Sequence, residues 1–139
     1  MTRARHRALA VAGAVLATVV IWVVGEPLLG NDLVFTQPGQ DPRDLGPGEI
    51  ATFASVASLL GWALMAVLER VTRHARSIWT VVALLVLAAS FLPVLQIEAS
   101  GGTKVVLALT HLAVGAVLVP VFWRTATAPS SQVVPAPAG

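Results

Sequence analysis

Four stretches of the chain are almost continuously apolar, and polar segments separate them. They cover about 8–24, 50–68, 78–95 and 105–123. None shows the alternation of apolar and polar residues that is typical of a half-buried strand. Each is long enough to cross about 30 Å of hydrocarbon as a helix, and in lipid only helices or closed barrels satisfy their own backbone groups. The pattern therefore predicts an all-α fold, an integral membrane bundle of four transmembrane helices that forms a single domain over 1–124.

The composition agrees with this class of protein. Hydrophobic residues make up 56% of the 139 residues and charged residues only 12%, which is about half the charged fraction of a soluble domain. The chain has no cysteine, so thiolate catalysis, thiolate metal sites and disulfides are excluded. It also has no His-Glu-x-x-His, Gly-x-Ser-x-Gly or phosphate-cradling glycine motif. We therefore expect no enzyme, no resident cofactor and no metal site.

The charged residues predict an orientation in the membrane. With a cytoplasmic N-terminus, the cytoplasmic segments hold seven of the nine basic residues and only one of the seven acidic residues, Glu69. The net charge is then +6 inside and −4 outside. Because the bias of Lys and Arg sets topology, we expect both termini to be cytoplasmic. The same bias explains the basic balance of the chain, so the expected partner is the lipid bilayer and not nucleic acid.

Two interpretations of the first stretch stay open. Basic residues precede it, and small residues stand just before Glu26, as in a cleaved signal peptide. However, its 17 apolar residues exceed the roughly 7 to 15 that are usual for a signal-peptide core, and the bulky Trp22 lies close to the cleavage position. An uncleaved first helix is the favoured interpretation.

Tryptophans mark the predicted boundaries of the spans. Trp79 and Trp123 lie at the cytoplasmic boundary and Trp22 near the outer one, where aromatic residues anchor helices in the interface. Trp62 lies deeper in its span, and we expect it to pack between helices.

The outer loop and the tail differ from the spans in composition. The loop, 25–49, is rich in Pro, Gly and Asp, which predicts turns. It is either a solvated connector or a lid or partner-binding loop, and its carboxylates lack the spacing of a calcium-binding loop. The last segment, 125–139, contains no charged residue and predicts a disordered tail.

One ionisable side chain, that of His111, lies within a predicted span, and such a residue is a functional-site hypothesis by default. At about 1.5 Å of rise per residue it lies roughly 10 Å below the outer boundary. Each of the other spans places one hydroxyl at a similar depth, and three polar residues lie above this layer at the outer mouth. The candidate polar pocket therefore has seven members: His111, Ser90, Ser55, Thr18, Glu26, Glu49 and Gln96.

Two functions compete for this layer. In the first, His111 accepts a proton or binds a ligand in an outward-facing pocket, and the protein is a small transporter or proton-coupled permease that uses His111 with Glu26 or Glu49. In the second, His111 is a neutral buried histidine whose hydrogen bond to a hydroxyl contributes about 1 kcal/mol to packing. The second favours a non-enzymatic accessory or interaction module with a membrane-protein partner or a homo-oligomer. Small residues spaced four apart, Gly13 with Ala17 and Ala54 with Ser58, suit either kind of helix contact.

Several short motifs accompany these features. Leu-Glu-Arg closes the second span, Ser90-x-x-Pro93 lies in the third, and His111-Leu112 precedes Pro120 in the fourth. Over roughly 8–123 this pattern resembles a family of small integral membrane proteins from actinobacteria that is catalogued only as a domain of unknown function. The resemblance implies a multi-pass protein of a bacterial plasma membrane. It implies no activity.

Overall fold

The computed structural model describes residues 2–127. Its four helices are α1 (Arg3–Val23), α2 (Pro47–Val71), α3 (Ala75–Gln96) and α4 (Gly101–Thr125). A π-helical turn, Val24–Leu28, continues α1. All four helices are long and apolar enough to cross a membrane, so the prediction of an all-α bundle with four candidate transmembrane helices is confirmed. The side of the membrane on which each terminus lies stays a prediction.

The helices extend a few residues beyond the apolar stretches because polar residues cap them. The Thr2 hydroxyl accepts from Arg5 N at 3.4 Å and starts α1 within the basic segment. Pro47, which lacks an N–H, stands in the first turn of α2, where a donor would have no partner in the helix. Ser100 Oγ accepts from Thr103 N at 3.1 Å and starts α4.

The bundle has two different ends. The first, which we call the arginine end, carries the start of α1, the α2–α3 turn and the end of α4. The second, the loop end, carries the π-helical turn, the long loop and the α3–α4 connection. Around the bundle, α1 packs against α2 and α4, and α3 packs against the same two helices. Large apolar side chains on the outer faces, such as Leu85 and Leu92, are exposed, as expected of helices that face hydrocarbon.

One apolar cluster lies near each end. Near the arginine end, Trp79 and Phe122 stack with ring centroids 4.9 Å apart. Trp79 is only 2% exposed because it packs within this cluster, and its Nε1 donates to Gly61 O at 2.7 Å. Its predicted role as an interfacial anchor is therefore wrong. Trp62 packs against the same cluster, whereas Trp123 is 42% exposed at the end of α4. Near the loop end, Leu33, Ile50 and Val106 belong to the second cluster.

The long loop is folded. Val34–Phe35 (β1) and Arg43–Asp44 (β2) pair as a short antiparallel hairpin. Its turn at 37–40 is closed by Gln40 N donating to Gln37 O at 3.0 Å, and Gly39 adopts a φ of 78°. This is the position of a type II turn that favours glycine.

The predicted tail, 125–139, begins with ordered residues. Thr125 is the last residue of α4, and Thr127 N donates to Glu69 at 2.9 Å. The prediction of disorder is therefore wrong for 125–127, where polar contacts to α1 and α2 hold the chain. Its remaining part, 128–139, lies outside the described residues.

Candidate functional site

The four polar side chains predicted to form one layer each bond to their own helix. Thr18 donates to Val15 O at 2.8 Å, Ser55 to Ala51 O at 2.7 Å, and Ser90 to Leu87 O at 2.6 Å. His111 Nδ1 donates to Leu107 O at 2.6 Å. In a helix without nearby water, such bonds to the preceding turn satisfy a donor locally. Across the described chain, the hydrogen bonds of these four groups therefore do not connect one helix to another.

His111 lies on the contact between α3 and α4. Its ring is half-buried, and its centroid is 5.9 Å from that of Phe91 at an angle of 44°. One turn further along α4, Gly115 brings the two helices close together, since a Cβ built there would lie 2.8 Å from Leu87 Cδ2. The neighbour of the His111 ring on α3 is thus Phe91, the residue that follows Ser90.

The three polar residues predicted at the mouth are dispersed over the loop end. Glu26 accepts from Leu33 N at 3.4 Å, and Glu49 pairs with Arg43. Gln96 is exposed at the last residue of α3. Within residues 2–127, no hydrogen bond joins two of the seven candidates. The same residues contain no group of three or more His, Asp or Glu side chains that could hold a metal ion.

A cavity of about 360 Å³ lies between the end of α1 and the start of α4 at the loop end. Its walls are apolar and include Val20, Gly25, Gly102 and Val105, with Asn31 as the polar member. The Asn31 amide already donates to Gly25 O at 3.0 Å. None of the seven predicted site residues lines this cavity. Its lining combines residues of α1, of α4 and of the loop, and no periodicity in the sequence reports that combination.

The folded loop closes the loop end of the bundle. We call residues 29–46 the loop cap. Leu33 of the cap is fully buried, and Thr103 in α4 donates to Asp32 O at 2.9 Å. Thr36 and Glu98 exchange two backbone hydrogen bonds of 2.9 and 3.0 Å, which fasten the hairpin to the α3–α4 connection.

One further contact holds the cap at its other edge. Trp22 Nε1 donates to Leu45 O at 2.9 Å. The cap is thus attached to α1, to α4 and to the connection between α3 and α4. Sequence reasoning identified the turn residues and left open whether the loop packs, because each of these anchors joins residues far apart in the chain.

The arginine end holds a polar network that sequence reasoning missed. Arg7 forms a two-pronged ion pair with Glu69, at 2.6 and 3.0 Å. Arg7 Nε also donates to Thr125 Oγ1 at 3.0 Å, and Thr127 donates to Glu69 from N and Oγ1. Arg7 is 5% exposed and lies 5.5 Å from the centroid of the Phe122 ring. The network ties α1, α2 and the end of α4 together.

One buried hydroxyl has no partner. Ser58 in α2 is fully buried, and its Oγ makes no hydrogen bond to any described residue. Ser58 and Thr18 both lie 11 residues from the Arg7–Glu69 pair along their helices, which places them at about the same depth. Two buried hydroxyls thus lie at about the same depth in α1 and α2.

The comparisons with known proteins give a family and no activity. Residues 1–128 match the family described as "Family of unknown function (DUF6069)", and the chain therefore belongs to this family. No curated protein and no solved structure matches the chain.

Proposed function

We propose that this member of the family of unknown function DUF6069 is a multi-pass membrane protein that acts as a non-enzymatic interaction module. Its loop cap is the surface that a membrane-protein partner binds. The observation that carries the proposal is the order of this cap, whose buried Leu33 and paired strands hold an exposed turn, 37–42, above the helices. Connections of this length without regular structure are uncommon in compact proteins, and they are usually functional or disordered. The packing of the cap favours the functional alternative.

The location of the protein is part of the same proposal. The excess of arginine at the arginine end supports a cytoplasmic position for that end and for both termini. The loop cap then lies outside the cell, and the resemblance to actinobacterial proteins supports a bacterial plasma membrane. The exposed surface of the cap carries Asp32, Asp41 and Asp44, and the exposed Glu98 of the α3–α4 connection adjoins it. We therefore expect a partner with a basic complementary surface.

The competing function is a small transporter or proton-coupled permease that uses His111 with Glu26 or Glu49. The contacts support the interaction module over this alternative. His111 is bonded within its own helix, Glu49 is paired with Arg43, and Glu26 binds the backbone of the cap.

The test changes the turn without changing its backbone. The variant Gln37→Ser/Gln40→Lys/Asp41→Lys alters three exposed residues and keeps Pro38 and Gly39, which form the turn. We expect wild-type protein, purified from its native membrane in mild detergent, to carry a stoichiometric partner that the variant loses while its thermal unfolding stays unchanged. A variant that retains the partner, or a wild-type protein that carries none, contradicts the proposal.

The matched control is His111→Leu in the membrane interior. We expect this variant to retain the partner. Loss of a cellular uptake or pH phenotype in His111→Leu, with unchanged folding and no partner effect in the turn variant, would establish the transporter instead.

A further inference from the structure

The structure separates the arginines of the arginine end into two kinds. Glu69 is the sole carboxylate among the described residues of this end, and Arg7 neutralises it in a buried ion pair. The six other arginines here therefore form a surface without a counter-charge within ion-pair distance in the described chain: Arg3, Arg5, Arg70, Arg73, Arg76 and Arg124. A surface of one sign this dense attracts anions from outside the chain.

One part of this surface is held in a fixed geometry. Arg76, in the first turn of α3, places its guanidinium carbon 5.3 Å from the centroid of the Trp123 ring in the last turn of α4. Its Nη2 donates to Ala126 O at 3.4 Å. A guanidinium has five N–H groups, so most of its donors stay available. Arg124 follows Trp123 directly and brings a second exposed guanidinium to the same helix turn.

We define Arg76, Trp123 and Arg124 as a seam. The terminal turns of helices that cross a membrane are where lipid headgroups lie. Both helices are long enough to cross a membrane, and the three residues stand in their terminal turns. Trp123 is partly exposed there, as is typical of a tryptophan at the boundary between headgroups and hydrocarbon. A guanidinium presents paired N–H donors that match the oxygens of a phosphate, and a neighbouring aromatic ring restricts its orientation.

We propose that this seam binds the phosphate of an anionic phospholipid headgroup. Arg76 binds the phosphate oxygens, Arg124 adds a second positive charge in the last turn of α4, and the Trp123 ring lies against the glycerol region of the lipid. The positive charge of the seam is complementary to an anionic lipid. A zwitterionic lipid gains less binding free energy from this charge. The site is separate from the loop cap, which lies at the other end of the bundle.

The test measures the affinity of the full chain in detergent for three probes: short-chain phosphatidylglycerol, short-chain phosphatidylcholine and inorganic phosphate. We expect the wild type to bind phosphatidylglycerol most tightly. An arginine near an anionic surface is worth about 1 kcal/mol, which is about fivefold in affinity. Arg76→Gln/Arg124→Gln therefore lowers the affinity for phosphatidylglycerol by roughly 25-fold, and Arg124→Gln alone, at an exposed position, by about fivefold.

The control removes the same charge from the opposite pair of helices. Arg5→Gln/Arg70→Gln changes two exposed arginines of the arginine end, in α1 and α2, and we expect it to lower the affinity less than threefold. An equal loss in both double variants contradicts the proposal, because the effect would then be one of net charge. Equal affinity for inorganic phosphate and phosphatidylglycerol also contradicts it, since the site would then bind a free anion.

Discussion

The two ends of the bundle are closed in different ways. At the arginine end, a single buried cation, Arg7, joins three helices through Glu69, Thr125 and the ring of Phe122. At the loop end, a folded segment covers the helices, and it is held by two buried leucines, Leu33 and Leu45, and by hydrogen bonds to its backbone groups. The arginine end thus depends on one pair of charges. The loop end depends on many weak contacts, and these leave the outer surface of the cap available for a partner.

Each end also has one Arg–Glu pair, and the pairs differ in burial. The side chains of Arg7 and Glu69 are 6% and 17% exposed, whereas those of Arg43 and Glu49 are 61% and 33% exposed. Removal of one partner from a buried pair leaves an uncompensated charge, but an exposed charge returns to water. The difference teaches that burial, and not the pairing itself, decides how much free energy of unfolding is lost when one partner is removed.

The largest expected effect is that of Arg7→Gln. The substitution leaves the Glu69 carboxylate without its cation and removes the bonds to Thr125. Losing one partner of a buried pair costs about 3–5 kcal/mol, and the partial exposure of Glu69 places the expected loss near the lower value. Chemical unfolding in mild detergent measures it.

A double variant shows whether the charge or the packing is responsible. We expect Arg7→Met/Glu69→Leu to recover most of the lost free energy of unfolding, because apolar residues replace the whole pair. A double variant as unstable as Arg7→Gln would show that the bonds to the end of α4 dominate.

The second-largest expected loss of free energy of unfolding is that of Leu33→Ala in the loop cap. Leu33 is fully buried, and deletion of a buried leucine side chain costs about 2–4 kcal/mol. We expect the loss to appear mainly as local opening of the cap, measured as faster amide hydrogen exchange of 33–45 while the helices stay protected. Val34→Ala, at an exposed neighbouring position, is the control and should leave exchange unchanged. Uniform loss of protection in the helices would show that the cap and the bundle unfold as one unit.

A smaller effect is expected for His111→Leu, between the two ends. The histidine bonds to its own helix and contacts Phe91, so its removal should lower the free energy of unfolding by about 1 kcal/mol. Thermal unfolding in detergent measures this change. A collapse of folding would assign the histidine a larger structural role than its contacts indicate.

The smallest effect is that of Arg43→Gln at the loop end. The pair with Glu49 is exposed, and such pairs contribute about 0–1 kcal/mol. We expect a change in the free energy of unfolding within about 0.5 kcal/mol, and less at high salt. A loss as large as that of Arg7→Gln would remove the distinction between the two ends.

The sequence was sufficient for the helices because their signal is local. Continuous apolar stretches predict spans, and the turn at Pro38 and Gly39 follows from residue types alone. Capping by Thr2 and Ser100 extends the helices beyond the apolar stretches, which hydrophobicity does not report.

The polar contacts were less predictable because they depend on the rotation of each helix about its axis and on partners that lie far apart in the sequence. Depth placed Thr18, Ser55, Ser90 and His111 at one level, but a shared level does not determine which way each side chain points. Each of them found an acceptor in its own helix. In the sequence, Glu69 is recognisable only as the single acidic residue of the predicted cytoplasmic segments. Its pairing with Arg7 could not be predicted because the two residues lie 62 positions apart.

The most direct test of the central claim, that the loop cap is the surface bound by a partner, is site-specific photo-crosslinking in the native membrane. A photoreactive residue at Gln40, in the exposed turn, is compared with one at Leu85, on the exposed apolar surface of α3. The proposal predicts one protein adduct of defined mass from position 40 and only lipid adducts from position 85. A defined protein adduct from position 85, with none from position 40, would contradict it and place the interaction surface within the membrane.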